Sequence, residues 1–402
     1  MNIKRVLLIS IITVFFVYAH GADRAVLVHN TLSDIDAVKG KLKLKLVRIW
    51  GGENEEDENK FFESPWTVAV DKNGLVYICD AHKHCIKVFT RSGEYVRTMG
   101  QRGRGPGDLL LPSKIAVSPA GDLVVYELAG RRLQWFSSEG KSKRINQDLK
   151  TISWLGITTG NEIAVYHRED TFKTRKLVAI QDETGKVLRH IGTFHDRAPD
   201  YESSELINFT MDAGDNIYAA NQLTPVIRKY SPTGRMVLAV TYEIPIKMSP
   251  VKISLNAAGD EIDIKQADEH IAPTKAIKKG RRVIIQGGSR TLVCTSIGTD
   301  ANQNIVAMTM RRLLTEKEVK ASTVPFSVNS TYRKFINFDI LAQIKDLQQL
   351  LVFNPEGKVI AQTLLPLRNE SFYISGSRIF IVDWRYHQQV LEYEMTIEEA
   401  EK

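Results

Sequence analysis

The fold is decided by the stretch WTVAVDKNGLVYICDAHKHCIKVFTRSGEYVRTMG, residues 66–100. Its apolar residues fall in short runs, and the runs are separated by Gly, Asn and Asp, which favour turns. TVAV, LVYIC, CIKVF and EYVRTM predict four strands, and the near-continuous apolar run in LVYIC predicts a strand that is buried on both faces. The stretch therefore predicts a four-stranded antiparallel sheet of the kind that forms one blade of a β-propeller.

The same pattern returns along the chain. Residues 113–146 match it at a shift of 47 positions, so that Gly74 falls on Gly121 and Gly93 falls on Gly140. Centres of the buried second strand recur near Val76, Val124, Ala164, Tyr218, Val306 and Phe380. Because a fixed period with four strands in each unit is typical of propellers, the sequence predicts six blades.

The two ends of the chain predict how the ring closes. The last unit, residues 371–395, supplies three strands and then ends. Near the start, LVRIWGG (46–52) resembles the fourth-strand phrases YVRTMGQ (95–101) and VLRHIGT (187–193). We therefore expect the N-terminal segment to supply the fourth strand of the last blade, which removes the open edges of the ring.

The predicted fold is all-β, a six-bladed β-propeller of four-stranded antiparallel blades over residues 44–395, between an N-terminal lead (22–43) and a tail (396–402). The blades are expected at 66–112, 113–151, 152–207, 208–290, 291–370 and 371–395 plus 44–51. Insertions are expected at 243–290 in the fourth blade and at 311–346 in the fifth. Residues 243–290 could instead hold a seventh blade, but they lack the glycine turns, which favours an insertion.

The first residues, MNIKRVLLISIITVFFVYAHGA, predict an export signal. Two basic residues precede an apolar run of 14 residues at 6–19, which is shorter than the roughly 20 residues of a spanning helix. Ala19 and Gly21 offer the small side chains of a cleavage site. We expect a signal peptide over 1–21 and a periplasmic or extracellular protein. An uncleaved membrane anchor stays open as the alternative.

Composition narrows the functional classes. The chain has 402 residues, of which 43% are hydrophobic, and 54 Lys and Arg against 47 Asp and Glu. The basic residues are scattered without the dense clusters of a nucleic-acid groove, so nucleic-acid binding is not expected. The three cysteines leave at least one unpaired, so disulfides are not expected to hold the fold.

The stretch from Ser64 to Pro112 resembles an NHL repeat. It carries a strand phrase followed by Asp, a short turn, an Ile and an aromatic residue, and then GRGPGDLLLP. The first two units resemble the repeat well, the fourth moderately and the others only at their turns. The resemblance implies a six-bladed propeller of the exported bacterial type, in a family mainly of binding and scaffold modules. A minority of relatives are lyases or lactonases that hold a metal at the mouth of the channel.

CDAHKHC (79–85) raises the question of a metal site. Its candidate ligands for zinc are Asp80, His82, His84 and Cys85. The resemblance to the NHL repeat places His84 where Asn or His is common and Cys85 where Arg is usual, as at Arg132 in the next blade. We therefore expect a turn in which Asp80 accepts hydrogen bonds from backbone N–H groups.

Function is expected on one face of the propeller. The turns between strands one and two and between strands three and four are short, whereas the long segments 100–112, 193–206, 243–290 and 311–346 all fall on the opposite face, the long-loop face. Long loops on a rigid scaffold commonly carry binding sites. The candidate ligand-binding residues on this face are Asp80, His82, His84, Arg102, Arg104, Glu127, Arg131, Arg132, His167, Arg168, Asp383, Arg385 and His387. Their arginine-rich chemistry suits carboxylates, phosphate, sugar acids or an acidic protein surface.

Two functions remain in view. The favoured one is an exported, monomeric binding or scaffold module without a cofactor, which engages a protein, peptide or glycan and touches a membrane only if the signal is uncleaved. The alternative is a metal-assisted lyase or hydrolase in the channel mouth. The second strands end at Asp80, Glu127, His167, Asn221, Thr309 and Asp383. This set lacks the repeated histidines of a zinc site, although its oxygens leave a calcium ion open. No catalytic residue is predicted.

Overall fold

Six buried apolar runs form the second strands of six four-stranded antiparallel sheets in the computed structural model. The structure describes residues 25–147, 149–167, 174, 176–193, 207–222, 225–244, 251–255, 261–266, 275–279, 282–286, 293–312, 315–328, 331–336, 344, 346–365, 371–384 and 387–398. The second strand of the first blade, VYICD, is buried at every position, as its apolar run predicts.

The sheets follow one another along the chain. The first blade consists of β3 (Pro65–Val70), β4 (Val76–Asp80), β5 (Cys85–Phe89) and β6 (Tyr95–Met99). The second consists of β7 (Pro112–Val117), β8 (Leu123–Glu127), β9 (Arg132–Phe136) and β10 (Ser142–Asn146). The third consists of β11 (Trp154–Ile157), β12 (Ile163–Tyr166), β13 (Lys176–Gln181) and β14 (Val187–Thr193).

The other three blades contain the irregular connections. The fourth consists of β15 (Ile207–Met211), β16 (Ile217–Asn221), β17 (Val226–Tyr230) and β18 (Met236–Tyr242). The fifth consists of β23 (Cys294–Thr299), β24 (Ile305–Met310), β27 (Gln348–Phe353) and β28 (Val359–Leu365). The sixth consists of β29 (Ser371–Ser375), β30 (Arg378–Asp383), β31 (Gln389–Ile397) and β2 (Leu42–Gly51).

The turn between the first and second strands requires a left-handed backbone at one position. Gly74 (φ +85°) and Gly121 (φ +91°) supply it in the first two blades, because glycine has no Cβ to clash. Asn161 (φ +63°) and Asp215 (φ +58°) take the same place in the third and fourth blades, where a short polar side chain tolerates this conformation. The glycine repeat seen in the sequence therefore marks a constraint of the backbone.

The hydrophobic core is divided among the interfaces between blades. In the described part of the chain, six clusters of buried side chains each join two neighbouring blades. Cys79 and Met99 of the first blade, for example, pack with Ile115 and Val125 of the second. Both faces of each of the six blades are consequently packed against neighbouring blades.

The predicted closure of the ring is confirmed. β2 pairs antiparallel with β31, and Trp50 lies opposite Val390. Trp50 packs against Phe89 of the first blade, with 5.2 Å between the ring centroids. The last blade is thus completed by the first part of the chain, and its outer strand contacts the blade that follows in the ring.

The lead before β2 forms a strand and a helix that were not predicted from the sequence. β1 (Val26–Asn30) pairs in parallel with β18, as a fifth strand on the fourth blade. A short helix, α1 (Leu32–Ala37), follows and is capped by Thr31. Residues 26–51, the N-terminal strap, therefore run from the fourth blade past the fifth to the sixth.

The amide of Asn30 attaches this strap to the fifth blade. The side chain is buried, and it donates to the carbonyl of Gly357 (3.0 Å) and accepts from the N–H of Val359 (2.7 Å). Ile35 of α1 packs into the core between the fourth and fifth blades. The strap is therefore held by buried polar and apolar contacts together.

The two predicted insertions carry secondary structure of their own. Residues 243–290 contain a separate sheet of β19 (Val251–Leu255), β20 (Glu261–Gln266), β21 (Lys275–Lys279) and β22 (Arg282–Gln286). Because the fourth and fifth blades pack directly on each other, this sheet is not a seventh blade of the ring. The second insertion contains α2 (Glu316–Ser322), β25 (Thr323–Val328) and β26 (Thr331–Ile336).

The signal predicted over residues 1–21 lies outside the described residues. Within the part of the chain that is described, no helix has the length and apolar character needed to cross a bilayer.

Asn30→Ala tests the attachment of the strap. The substitution leaves the N–H of Val359 and the carbonyl of Gly357 buried without this partner, so we expect the free energy of unfolding to fall by about 1–3 kcal/mol. Urea unfolding of the full chain measures the change. Asn302→Ala, in an exposed turn, is the matched control and should alter the free energy of unfolding by less than about 0.5 kcal/mol. Equal effects of the two substitutions would contradict the assignment.

Candidate functional site

The residues that end the second strands lie at the long-loop face and are buried. Asp80, Glu127, Thr309 and Asp383 have at most 1% of their surface exposed, and Asn221 and His167 have 5% and 9%. A buried ionised carboxylate is costly unless other groups pair with it. The partners of each acid therefore decide whether it can also bind a ligand.

The partners of Asp80 are backbone groups of its own blade. Its two oxygens accept the N–H groups of Glu63 and Ser64, each at 2.9 Å, and a longer bond comes from Lys83 N at 3.5 Å. Glu63 and Ser64 belong to the segment that leads into β3. Asp80 thus fixes the path by which the chain enters the first blade, and the longer bond from Lys83 is the one that comes from the CDAHKHC turn itself.

Glu127 has the corresponding role in the second blade. It accepts the N–H of Leu110 at 2.7 Å, the Nε of Arg132 at 2.7 Å and the amide nitrogen of Gln134 at 2.8 Å. The other two guanidinium nitrogens of Arg132 donate to the carbonyls of Arg104 (2.6 Å) and Asp108 (2.9 Å). Glu127 and Arg132 are therefore used in fastening the glycine-rich loop 100–112.

Asp383 is paired with a histidine. Its Oδ2 accepts from Nδ1 of His387 at 2.7 Å and from the amide nitrogen of Gln389 at 3.1 Å. Asp383 is fully buried, whereas 44% of the His387 side chain is exposed. The hydrogen bond places a proton on Nδ1 and fixes the orientation of the imidazole ring.

His84 supports the next blade. Its Nδ1 accepts the N–H of Leu111 at 2.8 Å, in the segment that leads into β7. Its backbone is left-handed, with φ +57°, which histidine tolerates better than most residues. Burial, with a smaller contribution from the guanidinium of Arg102, lowers the pKa of His84 below its ordinary value. Neutral His84 is the form that accepts this bond.

The cysteines of CDAHKHC are free, buried thiols. Cys79 packs between the first two blades and donates to the carbonyl of Pro112 at 3.0 Å. Burial raises the pKa of Cys85 to about 12, which opposes formation of the thiolate that binds metals. Among the residues the structure describes, no three His, Cys, Asp or Glu side chains are grouped so as to hold a metal ion.

The remaining candidate ligand-binding residues differ in how far their side chains are exposed. His82, Arg102, Arg104 and Arg131 are exposed. His167 is buried, with Nδ1 3.3 Å from the carbonyl of Thr151. Two further candidates, Arg168 and Arg385, lie outside the described residues.

An aromatic cluster that was not predicted from the sequence lies at one end of the central channel. The channel has a volume of about 280 Å³ and is lined by the six inner strands β3, β7, β11, β15, β23 and β29. Trp66, at the start of β3, lies 6.1 Å from His82 and 6.4 Å from Trp384, measured between ring centroids. Nζ of Lys114 lies 5.0 Å from the ring centroid of Trp154. We call these five residues the channel mouth.

The channel mouth lies on the long-loop face. Trp66 and Trp154 are at the beginning of inner strands, and Trp384 directly follows the end of β30. All three tryptophans are half-buried, and His82 is exposed. A weak signal was present in the sequence, because tryptophan opens the first-strand phrase in WTVAV and again in WLGI.

The charge of the channel is positive. Among the residues that line it, all of which are described, Lys114 alone is ionisable to a charged form at neutral pH. Thr67, Thr210, Thr299 and Ser371, which carry hydroxyl groups, belong to the same lining. The channel thus combines one cation, aromatic surface and neutral hydrogen-bonding groups.

Comparison with known proteins agrees with the fold. The NHL repeat model matches residues 62–89, so the chain contains an NHL repeat in its first blade. The search of curated proteins finds no match. A protein of Bacteroides fragilis NCTC 9343 that is predicted to be exported is 10% identical, with a TM-score of 0.54 over 93% of this chain and 100% of its own. A member of the DUF4221 family from Bacteroides vulgatus ATCC 8482 is 12% identical, with a TM-score of 0.53 over 89% of this chain and 99% of its own.

Virginiamycin B lyase from Staphylococcus aureus has a lower TM-score of 0.43, with 11% identity over 88% of this chain and 100% of its own. At these identities, the first two structures support the propeller fold alone. The lyase is too distant in structure to inform on function.

Glu127→Gln tests whether this acid has a structural role. The substitution removes the charge that pairs with buried Arg132, so we expect the free energy of unfolding to fall by about 3–5 kcal/mol. Thermal and urea unfolding measure the loss. Glu183→Gln, at an exposed ion pair with Arg144, should have little effect. If Glu127→Gln were as stable as the parent protein, the acid would not be needed to fasten the loop.

His84 should make stability depend on pH. Because its pKa is lowered in the folded state, its contribution to stability is complete above about pH 6.5, the value of an unfolded histidine, and is lost as the pH falls below it. Urea unfolding between pH 5 and 8 measures this slope. We expect His84→Asn to flatten it.

The control is Arg131→Asn, which places asparagine at the equivalent left-handed position of the next blade (φ +49°). It should leave the slope unchanged. An equal slope in the parent and in His84→Asn would show that another group causes it.

Proposed function

We propose that this protein is an exported binding module that engages its ligand at the channel mouth on the long-loop face. The observation that carries the proposal is the gathering of Trp66, Trp384 and His82 beside the Lys114–Trp154 pair. These side chains come from four blades that follow one another in the ring. A concave site with aromatic walls and a few polar groups is the usual form of a ligand pocket.

The surroundings of the mouth favour binding without large rearrangement. Asp80 and Glu127 fasten the segments that lead into the first two inner strands. His84 fastens the second of these segments as well. A site whose supports are already hydrogen-bonded loses little conformational entropy when a ligand binds.

Export is supported by the basic and apolar composition of residues 1–21. In the proposal, the mature chain acts outside the cytoplasm as a monomer. Fractionation of cells that express the full chain tests the location, and mass spectrometry of the N-terminus tests cleavage after Gly21.

The enzyme alternative is favoured by one observation. His387 is held by buried Asp383 at 2.7 Å and is half-exposed, which is a suitable arrangement for a group that accepts or gives a proton. A metal-assisted lyase or hydrolase would in addition need a metal. Elemental analysis of the purified full chain tests for a bound metal. A turnover assay on any ligand found, comparing the parent protein with His387→Gln, tests whether His387 takes part in catalysis.

The binding proposal predicts that ligand binding depends on the side chains of the channel mouth. Arrays of glycans and peptides probed with the labelled full chain should give bound ligands whose signal falls at least about tenfold in Trp66→Ala or His82→Ala, because a central aromatic contact contributes more than about 1.4 kcal/mol. Lys72→Gln, in a turn on the opposite face, is the control and should leave the signal unchanged. Trp66→Phe serves if Trp66→Ala does not fold. Ligands whose binding ignores the mouth variants would contradict the proposal.

A further inference from the structure

We infer that the outer edge of β2 (Leu42–Gly51) binds a strand of a partner protein in which apolar and acidic residues alternate. This site is separate from the channel mouth and does not depend on the binding function proposed there. The inference follows from the place of β2 in its sheet, from the chemistry of its two faces and from the way in which the N-terminal strap pairs with other blades.

β2 is a long edge strand with exposed apolar side chains. It stands at the end of the sheet order β2-β31-β30-β29, and within the described part of the chain no strand pairs with its outer edge. It has 10 residues, whereas the outer strands of the other five blades have 5–7. Leu46, Val47 and Ile49 are 48%, 39% and 50% exposed. Such an edge is a template for pairing with another chain.

The segment LKLKL at the start of β2 presents different chemistry on its two faces. Because successive side chains of a strand point to opposite faces, one face carries the leucines and the other carries Lys43 and Lys45. The leucine face continues the core between the fifth and sixth blades, in which Leu42 is buried and Leu44 is partly buried. That core therefore ends at the sheet edge in an exposed apolar side chain, Leu46.

Ile49 extends the leucine face beyond a bulge in β2. Leu46 lies opposite Tyr393 and Ile49 lies opposite Leu391, and residues two apart in β31 share a face. The extra residue, Val47, shifts the alternation of side chains in β2 by one position. Leu46 and Ile49 thus form one apolar surface at the edge of the sheet.

The basic face of β2 favours an acidic partner. Lys43 and Lys45 are exposed, and Lys45 has no ion pair with another residue that the structure describes. Lys43 lies 3.3 Å from Glu398, and both of these side chains are more than half exposed, so their pair contributes little. In an added strand, an acidic residue opposite each lysine would form a favourable cross-strand pair.

Charge argues against a second copy of this chain as the partner. All three charged residues of β2, which are Lys43, Lys45 and Arg48, are basic. Two β2 strands paired edge to edge would bring these cations together, and like charges on facing strands are unfavourable. Lysines on an exposed edge are a common protection against such self-association. The edge therefore selects the complementary pattern, which is apolar, acidic, apolar, acidic, apolar.

The propeller already pairs additional chain with its outer edges. β1 adds a fifth strand to the fourth blade by pairing in parallel with β18. In the fifth blade, Lys39 forms a parallel bridge with Gln362, and the N–H of Gly40 donates to the Gln362 carbonyl at 2.9 Å. The N-terminal strap thus supplies backbone partners to two outer edges. The packing of the ring is consequently compatible with a strand added to a blade.

Four nonapeptides that differ in one property each test the pairing. TEVEVEVET carries the complementary pattern and reads the same in both directions, so it serves for parallel and antiparallel pairing alike. TKVKVKVKT reverses the charge, TESESESET removes the apolar side chains, and TEVEPEVET places a proline in the centre, where it removes a backbone donor. In fluorescence anisotropy, we expect the full chain to bind labelled TEVEVEVET about tenfold or more tightly than each of the others. Its affinity should fall as sodium chloride is raised.

Hydrogen exchange locates the bound strand. With TEVEVEVET in excess, the backbone amides of residues 42–51 should exchange more slowly, because N–H groups on the outer edge become hydrogen-bonded. Residues 95–99, the outer strand of the first blade, should exchange as they do in the free protein. Slower exchange at the channel mouth instead of β2 would overturn the assignment of the site.

Two variants of β2 test the charge and the apolar surface separately. Lys45→Glu should weaken TEVEVEVET about fivefold and strengthen TKVKVKVKT, because it reverses one cross-strand pair. Ile49→Thr should weaken TEVEVEVET about threefold. Threonine is the residue at the equivalent place in the first blade, Thr98, so this outer-strand position accepts it. If either variant fails to fold, the peptide comparison and the exchange of the parent protein decide the matter.

The controls make the same changes elsewhere. Lys72→Glu reverses a charge in an exposed turn of the first blade. Val96→Thr removes an apolar side chain that matches Val47 in the repeat and is likewise 39% exposed. Trp66→Ala alters the channel mouth. All three should leave the affinity for TEVEVEVET unchanged.

The remaining outcomes separate the possible occupants of the edge. Equal affinity for the acidic and basic peptides would overturn the selection of an acidic strand, and equal affinity for TESESESET would overturn the role of the apolar face. A chain that sediments as a dimer in the parent and as a monomer in Ile49→Thr would assign the edge to a second copy. Failure of all four peptides to bind would overturn the inference and leave the channel mouth proposal intact, because that proposal is tested with other ligands and variants.

Discussion

The rest of the structure depends on one constraint, which is that each blade of the ring must bury both of its faces. A four-stranded sheet of this size has no stable core of its own, and here every core cluster in the described chain is shared between two blades. The same constraint explains the near-continuous apolar second strands, because neither of their sides meets water. It also makes closure a requirement, since an open ring would expose the faces of the first and last blades. β2 meets that requirement by pairing with β31, so that it completes the sixth blade.

How much could be predicted follows from this constraint. Strand patterns, glycine turns and the completion of the sixth blade are periodic features, and the sequence alone predicted them. The strap was not predicted, because a parallel fifth strand has no repeat to reveal it and its anchor, Asn30, acts on Gly357 and Val359 more than 300 residues away. The aromatic mouth was missed for a related reason. Trp66 and Trp384 are brought to 6.4 Å only when the ring is closed.

Charged residues at the strand ends show the limit of assigning function by residue type. Asp80, Glu127 and Arg132 are candidates for ligand binding by residue type, and the structure places all three in hydrogen bonds that support the loops leading into the inner strands. His82 and His84 also show that residue type alone does not decide the role, because these two histidines are only two positions apart in the sequence and have different surroundings. One is exposed beside Trp66, and the other is turned by its left-handed backbone onto the N–H of Leu111. Sequence gives the chemistry of both side chains, but the direction of each depends on turn geometry and on the neighbouring blade.

These supporting contacts matter for the proposed binding function because they limit how far the residues of the channel mouth can move. Lys114 follows Leu111 by three residues, and Leu111 is held by His84 while Leu110 is held by Glu127. Trp66 follows Ser64, which is held by Asp80 and accepts the indole N–H of Trp66 at 2.8 Å. The positions of Lys114 and Trp66 are thus set by groups that hydrogen-bond to the residues just before them in the chain. A substitution at Glu127 or Asp80 should consequently alter the mouth as well as stability, whereas a substitution of the exposed His82 should leave these supporting contacts in place. In the proposed binding function, specificity would therefore reside in the exposed side chains of the channel mouth, and the buried acids would fix the positions of those side chains.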